Sequence, residues 1–472
     1  MRLKRCHFRT IRFFFLLALN PIWDIAARAD EKATLRERVD PNRIVASTHA
    51  MSAEGTFFLD PPADSAKSGK ADSIKPESLK VIARTKLMVQ DRWRVGETAG
   101  GSTTNGLVSL RVVSAAESEI GGELRPSKTS LRAQRKRMVV DIENEAFRTV
   151  CVDGPLTRSE LEALTTPGDA ASLWTLLPKT GVEQGETYRL DRIAAKSLTL
   201  YDAIAVNGLE GKIQELTEKS VKIAISGEVR GAVLGAEGVM KLRGELTFDR
   251  ESGLVTFLKV DREESRRPGS VEAGLEITSR LEVRRQLAAE PVAELTGDLA
   301  AWPGTVTPQA AVLEWFDPTG TIRLEHDRDW HVTWSDTEES VLKRVDRGGA
   351  VIAQCNVKKA PMVAPGQHQD PEQFEQDVQE ALGKQFRKVF GKGELQRPEG
   401  QGYGFKLAIE GIIQELPVVW YYYLMASPQG DQFVATVTTT LAETLGSGKP
   451  GLLLAESLRW SDRAAKKEDP KR

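Results

Sequence analysis

The sequence predicts an α+β protein: a β-rich domain of curved antiparallel strands with two short helices, then an α/β/α sandwich on an antiparallel sheet. Three observations point there. Single cores stop growing at roughly 250–300 residues, and this chain has 472. An apolar/polar alternation with a period of two recurs at 79–89 and through 209–287. Three β-branched and aromatic runs fill 403–440, with helical patterns at 371–390 and 450–459 on either side.

The first element is an export signal. Arg2, Lys4, Arg5, Arg9 and Arg12 precede the apolar run 13–19, and Ala27, Arg28 and Ala29 supply a small-x-small site before Asp30. The apolar run is far shorter than the roughly 20 residues a spanning helix needs. The expectation is a signal peptide over 1–29, cleaved after Ala29 or kept as an anchor, and a periplasmic or secreted protein without a transmembrane helix. Cleavage removes six basic residues and one acid, leaving a mildly acidic chain. Such a charge gives no global field for nucleic acid. Cys151 and Cys355 remain, each in an apolar strand-like context, and read as buried free thiols, with pairing in an oxidising compartment the alternative.

The first domain, 30–288, begins with two short strands at 43–46 and 56–59 and a polar loop at 61–70. In the strand 79–89, Leu79, Val81, Ala83, Leu87 and Val89 share one face and Lys80, Arg84 and Lys86 the other. Because side chains change face at every residue, this describes a sheet wet on one side. Val221, Ile223 and Ile225, then Met240, Leu242, Leu246 and Phe248, then Leu275, Ile277, Leu281 and Val283 repeat the pattern. Thr157 and Glu160 have capping-box spacing before Leu161 and Leu164, and Asp169 caps 170–177. Two short helices there would close the apolar face; the other outcome is an open half-barrel holding a ligand. The stretches 154–161, 176–188 and 221–249 resemble a family of uncharacterised exported bacterial proteins, which implies no chemistry.

Prolines at 291, 303 and 308 mark a linker over 289–312. The second domain, 313–460, has strands through 330–334, 340–345 and 350–357. Asp370 and Pro371 open a helix whose stripe is Phe374, Val378, Leu382, Phe386 and Val389. The meander 403–440 follows, and 461–472 is a charged tail. Phe316 to Pro318, Trp330 to Val332, 348–353 and Trp420 to Leu424 in this order resemble the PsbP-like α/β/α sandwich. That resemblance implies an accessory or binding protein without a shared active site.

The sequence holds few constellations that carry chemistry. His49, His326, His331 and His368 stand in no zinc-protease spacing. His326 with Asp327, Asp329 and His331 is the single local cluster of metal-ligand types, the last three on one side of an extended segment; a solvated edge is the competing reading. The run 446–449 lacks the glycine and hydroxyl of a phosphate loop, and the glycines of 231–238 lie between strands. Lys128, Arg132, Arg135, Lys136 and Arg137 form a basic run able to meet an anionic polymer, lipid or acidic partner, or to be an exposed face. Trp420 and Tyr422 share a strand face and read either as a binding surface or as core.

No catalytic residue, cofactor or metal is assigned. The sequence favours a non-catalytic exported protein that binds another envelope or extracellular component. Its alternatives are a lipid or other apolar-ligand carrier using the curved sheet, and a hydrolase whose site is scattered along the chain.

Overall fold

The computed structural model describes residues 32–38, 40–59, 77–95, 107–143, 145–303, 307, 309–446, 454 and 457–461. The expected signal, the polar loop at 61–70 and the tail beyond 461 lie outside them. No helix among the described residues is long and apolar enough to cross a membrane.

The described residues are mostly β, with 55% strand and 14% helix. One antiparallel sheet has thirteen strands. Its first half comprises β1 (Ile44–Leu59), β2 (Glu77–Val95), β3 (Leu107–Gly122), β4 (Ser127–Ser130), β5 (Arg137–Glu143) and β6 (Ala146–Cys151). Its second half comprises β7 (Thr187–Arg189), β8 (Ala203–Asn207), β9 (Glu210–Leu216), β10 (Ser220–Val233), β11 (Ala236–Asp249), β12 (Leu254–Arg266) and β13 (Gly274–Leu287). The order is β6-β5-β3-β2-β1-β13-β12-β11-β10-β9-β7, with β4 on β3 and β8 on β10. β1 is the seam: it pairs β2 on one side and β13 on the other, placing Val45 opposite both Asp91 and Leu287.

The alternation of the strands fixes which face is dry. Val221, Ile223, Ile225, Met240, Leu242, Leu246, Leu258, Val260, Leu281 and Val283 all point to one side and are buried. A 3-10 helix, Ala170–Leu176, and α2 (Arg192–Thr199) cover that side with Leu173, Leu176, Ala194, Ala195 and Leu198. Nearer β2 and β3, α1 (Arg158–Leu164) adds Leu161 and Leu164 against Leu87, Val89, Val113 and Met138. The side of the sheet that these helices cover is therefore a filled core. Tyr201 explains the glycines of the β10–β11 hairpin: a Cβ on Gly231 would come within 2.5 Å of its ring, and one on Gly238 within 2.7 Å of its hydroxyl.

The C-terminal half holds two sheets. Three strands, β14 (Leu313–Phe316), β15 (Ile322–His326) and β23 (Arg459–Trp460), form the smaller. The larger has β16 (Trp330–Ser335), β17 (Glu339–Val345), β18 (Val351–Ala360), β19 (Phe386–Glu394), β20 (Tyr403–Ile413), β21 (Leu416–Ala426) and β22 (Gln432–Thr440). They are ordered β16-β17-β18-β22-β21-β20-β19. Phe374 and Val378 of α3 (Pro371–Leu382) pack on one face, against Phe405, Leu407, Ile409, Trp420 and Leu424. Ile322 and Leu324 of β15, with Leu454 and Leu458, pack on the other against Leu342, Cys355, Tyr421 and Val437.

This overturns the expected α+β class and its α/β/α sandwich. The second face of the large sheet is covered in good part by strands, because Ile322, Leu324 and His326 are buried with a period of two. The expected helix over 371–390 also ends early: Gly383 takes φ of +50° after Leu382, and Phe386 and Val389 belong to β19. The two short strands expected at 43–46 and 56–59 are one strand, β1. The expected helix at 450–459 lies largely outside the described residues; Leu454 and Ser457 are helical, and Arg459 is in β23.

Candidate functional site

The two halves meet where the chain leaves β6 and enters α1. Thr157 caps α1, its side chain accepting from Glu160 N while its own N–H donates to Glu160 Oε2 at 2.9 Å. Glu160 is buried and receives Arg132 Nε and Nη2, both at 2.6 Å. Burial alone would raise the Glu160 carboxyl; the hydrogen bonds from Arg132 and Thr157 outweigh it and hold the group below its ordinary value. Arg132 also donates to buried Glu314 of β14, which Arg323 reaches at 3.0 Å. Glu314 N donates to Leu156 O at 2.8 Å, so the smaller sheet is joined to the first half by backbone as well as charge.

Beside this junction lies a cleft of about 470 Å³. One wall is α1 and residues 271–272; the other is β16, through Trp330, His331 and Val332; Trp315, Phe316 and His326 also line it. Arg158 crosses between the walls, its Nη2 donating to Arg328 O at 2.6 Å and Trp330 O at 3.0 Å. Because its partners are carbonyls, desolvation prevails and lowers its pKa.

His326 Nδ1 lies 2.7 Å from Asp327 O, so the proton sits on Nδ1 and Nε2 is the acceptor nitrogen. Burial pushes this imidazole down to about 4, against the hydrogen bond to Asp327 O. Burial, then the charge of Arg158, pushes His331 down to about 4 as well. Both rings are neutral at pH 7, and His331 Nε2 is buried without a hydrogen-bond partner among the described residues. Asp327 and Asp329 face Arg344 at 3.3 and 3.7 Å. No group of three or more metal-ligand side chains stands together among the described residues. Two neutral, weakly basic imidazoles, a guanidinium bonded to carbonyls and an aromatic lining suit recognition better than proton transfer.

A larger cleft of about 880 Å³ lies on the outer face of the thirteen-stranded sheet. Gly122 of β3 and Val239 of β11 both line it with four strands between them. Five ladder spacings would separate those strands by about 24 Å in a flat sheet. The sheet therefore bends around its outer face here. Glu54, Glu123, Glu263, Glu276, Lys80 and Lys241 line the cleft with no aromatic or histidine side chain.

The basic run does not gather into one patch. Lys128 is exposed on β4 and pairs with Glu119 at 3.0 Å, and Lys136 is exposed. Arg132 holds the junction as described. Arg135 donates to Asp153 O and Pro155 O, and Arg137 to Asp153 Oδ1 while lying 5.8 Å from the Trp302 ring. Trp420 is buried in the core beneath α3; Tyr422 is half-buried, 6.4 Å from Phe374 and edge-on to it. Cys151 and Cys355 are buried free thiols, pushed by burial up to about 11 and 12. The cleft residues Arg158, Glu162, Trp315 and Glu272 were not singled out as a site from sequence. The signal for two walls was present in the aromatic pairs at 315–316 and 330–334, but nothing local says that α1 faces them.

No protein-family model matches the chain, and no curated protein matches it. Among solved structures, the Saccharomyces cerevisiae Ran-binding protein Mog1p aligns with 32% of this chain and 97% of its own, at 12% identity and a TM-score of 0.26. Lipovitellin aligns with 54% of this chain and 26% of its own, at 8% identity and a TM-score of 0.29. A BenF-like porin from Pseudomonas fluorescens covers 84% of this chain and 99% of its own, at 6% identity and a TM-score of 0.10. Likenesses this slight carry no argument about fold or function.

Proposed function

We propose that this is a non-catalytic exported protein that binds another envelope or extracellular component in the junction cleft. The observation that carries the reading is the cleft itself: about 470 Å³, lined by Trp315, Phe316 and Trp330 and bounded by the outermost strand of a sheet. Aromatic side chains at a partly desolvated junction are the residues that dominate binding energy when a partner covers them. The carrier reading is less well supported, since Leu173, Leu176, Leu198 and Tyr201 fill the space under the 209–287 strands where its ligand would sit. The basic run, Trp420 and Tyr422 are not part of the proposed surface.

The test is a photo-crosslinking amino acid at Ser159, which is exposed and lines the cleft, with controls at Lys212 and at Ile82 in the outer cleft. Protein expressed in its own envelope and examined by mass spectrometry should carry an adduct at 159 and none at 212. Adducts at 82 but not at 159 would move the binding site to the outer face.

A further inference from the structure

The two edges of the seven-stranded sheet are built differently. β19 carries Arg387, Lys388 and Lys392, the glycines 391 and 393, and register shifts at 386/388 and 389/391. Lysines and bulges are what sheets use to discourage another strand from pairing. β16 has no lysine, arginine or proline between 330 and 335, and exposes Val332 at 39% and Trp334 at 61%. Its one register shift falls between Val332 and Trp334, beyond the half that lines the cleft.

The orientation of its backbone follows from Arg158. Asp329 O accepts from Val345 N of β17, so Trp330, the next residue, turns its carbonyl away from β17, where Arg158 takes it. In an antiparallel ladder a residue's N–H and C=O point the same way and alternate along the strand. Val332 therefore presents both groups to the cleft. A strand laid there would place side chains alternately above and below the sheet, and one on the side of Trp330 would meet Trp315 and Phe316.

Charge decides what kind of strand. Glu162 makes no direct ion pair among the described residues; burial raises its carboxyl, and the charge of Arg158, one turn along α1 and tied to carbonyls, offsets this only in part. Glu272 shares Arg266 at 3.4 Å. Past the end of β16, Asp336 and Glu338 are exposed. The opposing cations on β17 are Lys343, across the ladder from His331, and Arg344, which faces Asp327 and Asp329. The rim of the slot carries these acids, the α1 wall is polar through Thr157, Arg158 and Ser159, and the apolar lining is Trp315, Phe316, Trp330 and Val332.

We propose that the junction cleft takes an extended basic segment of a partner protein, added as a short strand at Val332 with an apolar side chain against Trp315 and Phe316. This rests on the cleft being the binding site, and main-chain pairing with pockets for alternate side chains is a known mode of peptide capture.

The test uses the full chain and fluorescence anisotropy with a labelled short peptide of alternating lysine and valine and a central phenylalanine. Two further peptides accompany it, one N-methylated along the pairing edge with its charge unchanged and one with glutamate for lysine. The lysine peptide should bind, and the other two should bind at least about tenfold more weakly. Glu162→Lys, at an exposed helix position, should weaken the lysine peptide by about tenfold without changing the melting curve. The Val332 amide should gain hydrogen-exchange protection in the complex. Equal binding of the N-methylated peptide, an unchanged Val332 amide, or indifference to Glu162→Lys would overturn the proposal. If no peptide binds while Ser159 still gives an adduct, this proposal falls and the binding reading stands; if neither occurs, both fall.

Discussion

Arg111 has no exposed side-chain surface and lies between two carboxylates: Nε donates to Asp91 Oδ1 at 2.8 Å, and Nη1 and Nη2 donate to Asp169 at 2.7 Å. Removing one member of a buried ion network strands the others, at a cost of about 3–5 kcal/mol. Arg111→Met should lose that much in urea unfolding. The sequence shows Asp169 as a helix cap, which it is, through Ala171 N at 2.8 Å. Its second role was not legible, because the partner lies 58 residues away and pairing is not a local property. His49 sits in the same environment, with Nδ1 3.1 Å from Thr166 Oγ1. Burial lowers it to about 4; the charge of Asp169 opposes this and that of Arg111 adds to it. Unfolding restores an ordinary value near 6.5, so the unfolded chain takes a proton that the folded chain refuses. Stability from this group is complete above pH 6.5 and falls as the pH drops toward 4. His49→Gln should remove about 2 kcal/mol of the stability lost between pH 7 and pH 5, read from urea midpoints at the two values. Asp169, held down to about 2, acts in a separate window, between its ordinary value near 3.8 and 2.

At the scale of elements, the strand signal was reliable where local pattern alone sets it. The strands at 221–283 and the 403–440 meander appear with the expected faces because alternation and turn chemistry are local. It failed where continuity depends on a neighbour. β1 runs unbroken because β2 and β13 pair it on both sides, and no sequence signal at 47–55 says so. α2 was missed although Asp191 caps it through Ala194 N at 2.9 Å, since it is one short helix with alanine on its buried side. The stripe from Phe374 to Val389 looked like one helix because Phe386 and Val389 continue its spacing. Both positions pack near the same core from β19 instead, so the apolar demand was read correctly and the backbone was not. Trp420 belongs to that core. It is 5% exposed, and Gly411 lies beneath its ring, where a Cβ would come within 2.4 Å of a ring carbon. Trp420→Ala should cost about 3–5 kcal/mol as a core truncation. A variant that melts like wild type would contradict that placement.

For the whole molecule, what joins the halves matters more than what each contains. The 289–303 segment, which reads as a linker from its prolines, packs Leu295 and Trp302 against Val108, Leu110, Val112 and Val139. Arg132 pairs directly with carboxylates of both halves, and these side chains are only 4% exposed in Glu160 and 2% in Glu314. The basic run was visible in sequence as charge, but its destination was not, because Glu160 is 28 residues away and Glu314 is 182. Arg132→Met would leave both carboxylates buried, with Arg323 the remaining cation near Glu314. The loss should be about 3–5 kcal/mol, against no more than about 0.5 kcal/mol for Lys128→Met on the surface. Calorimetry should also show the effect as a separation of transitions, the C-terminal sheets and the thirteen-stranded sheet unfolding at different temperatures once the shared charge is gone. A single transition at the wild-type midpoint would mean that backbone contact through Leu156 and Glu314 suffices. Because the same junction sets the distance between α1 and β16, the variant should also lose the crosslink at Ser159. Loss of the crosslink with an unchanged melt would separate the geometry of the cleft from the stability of the fold.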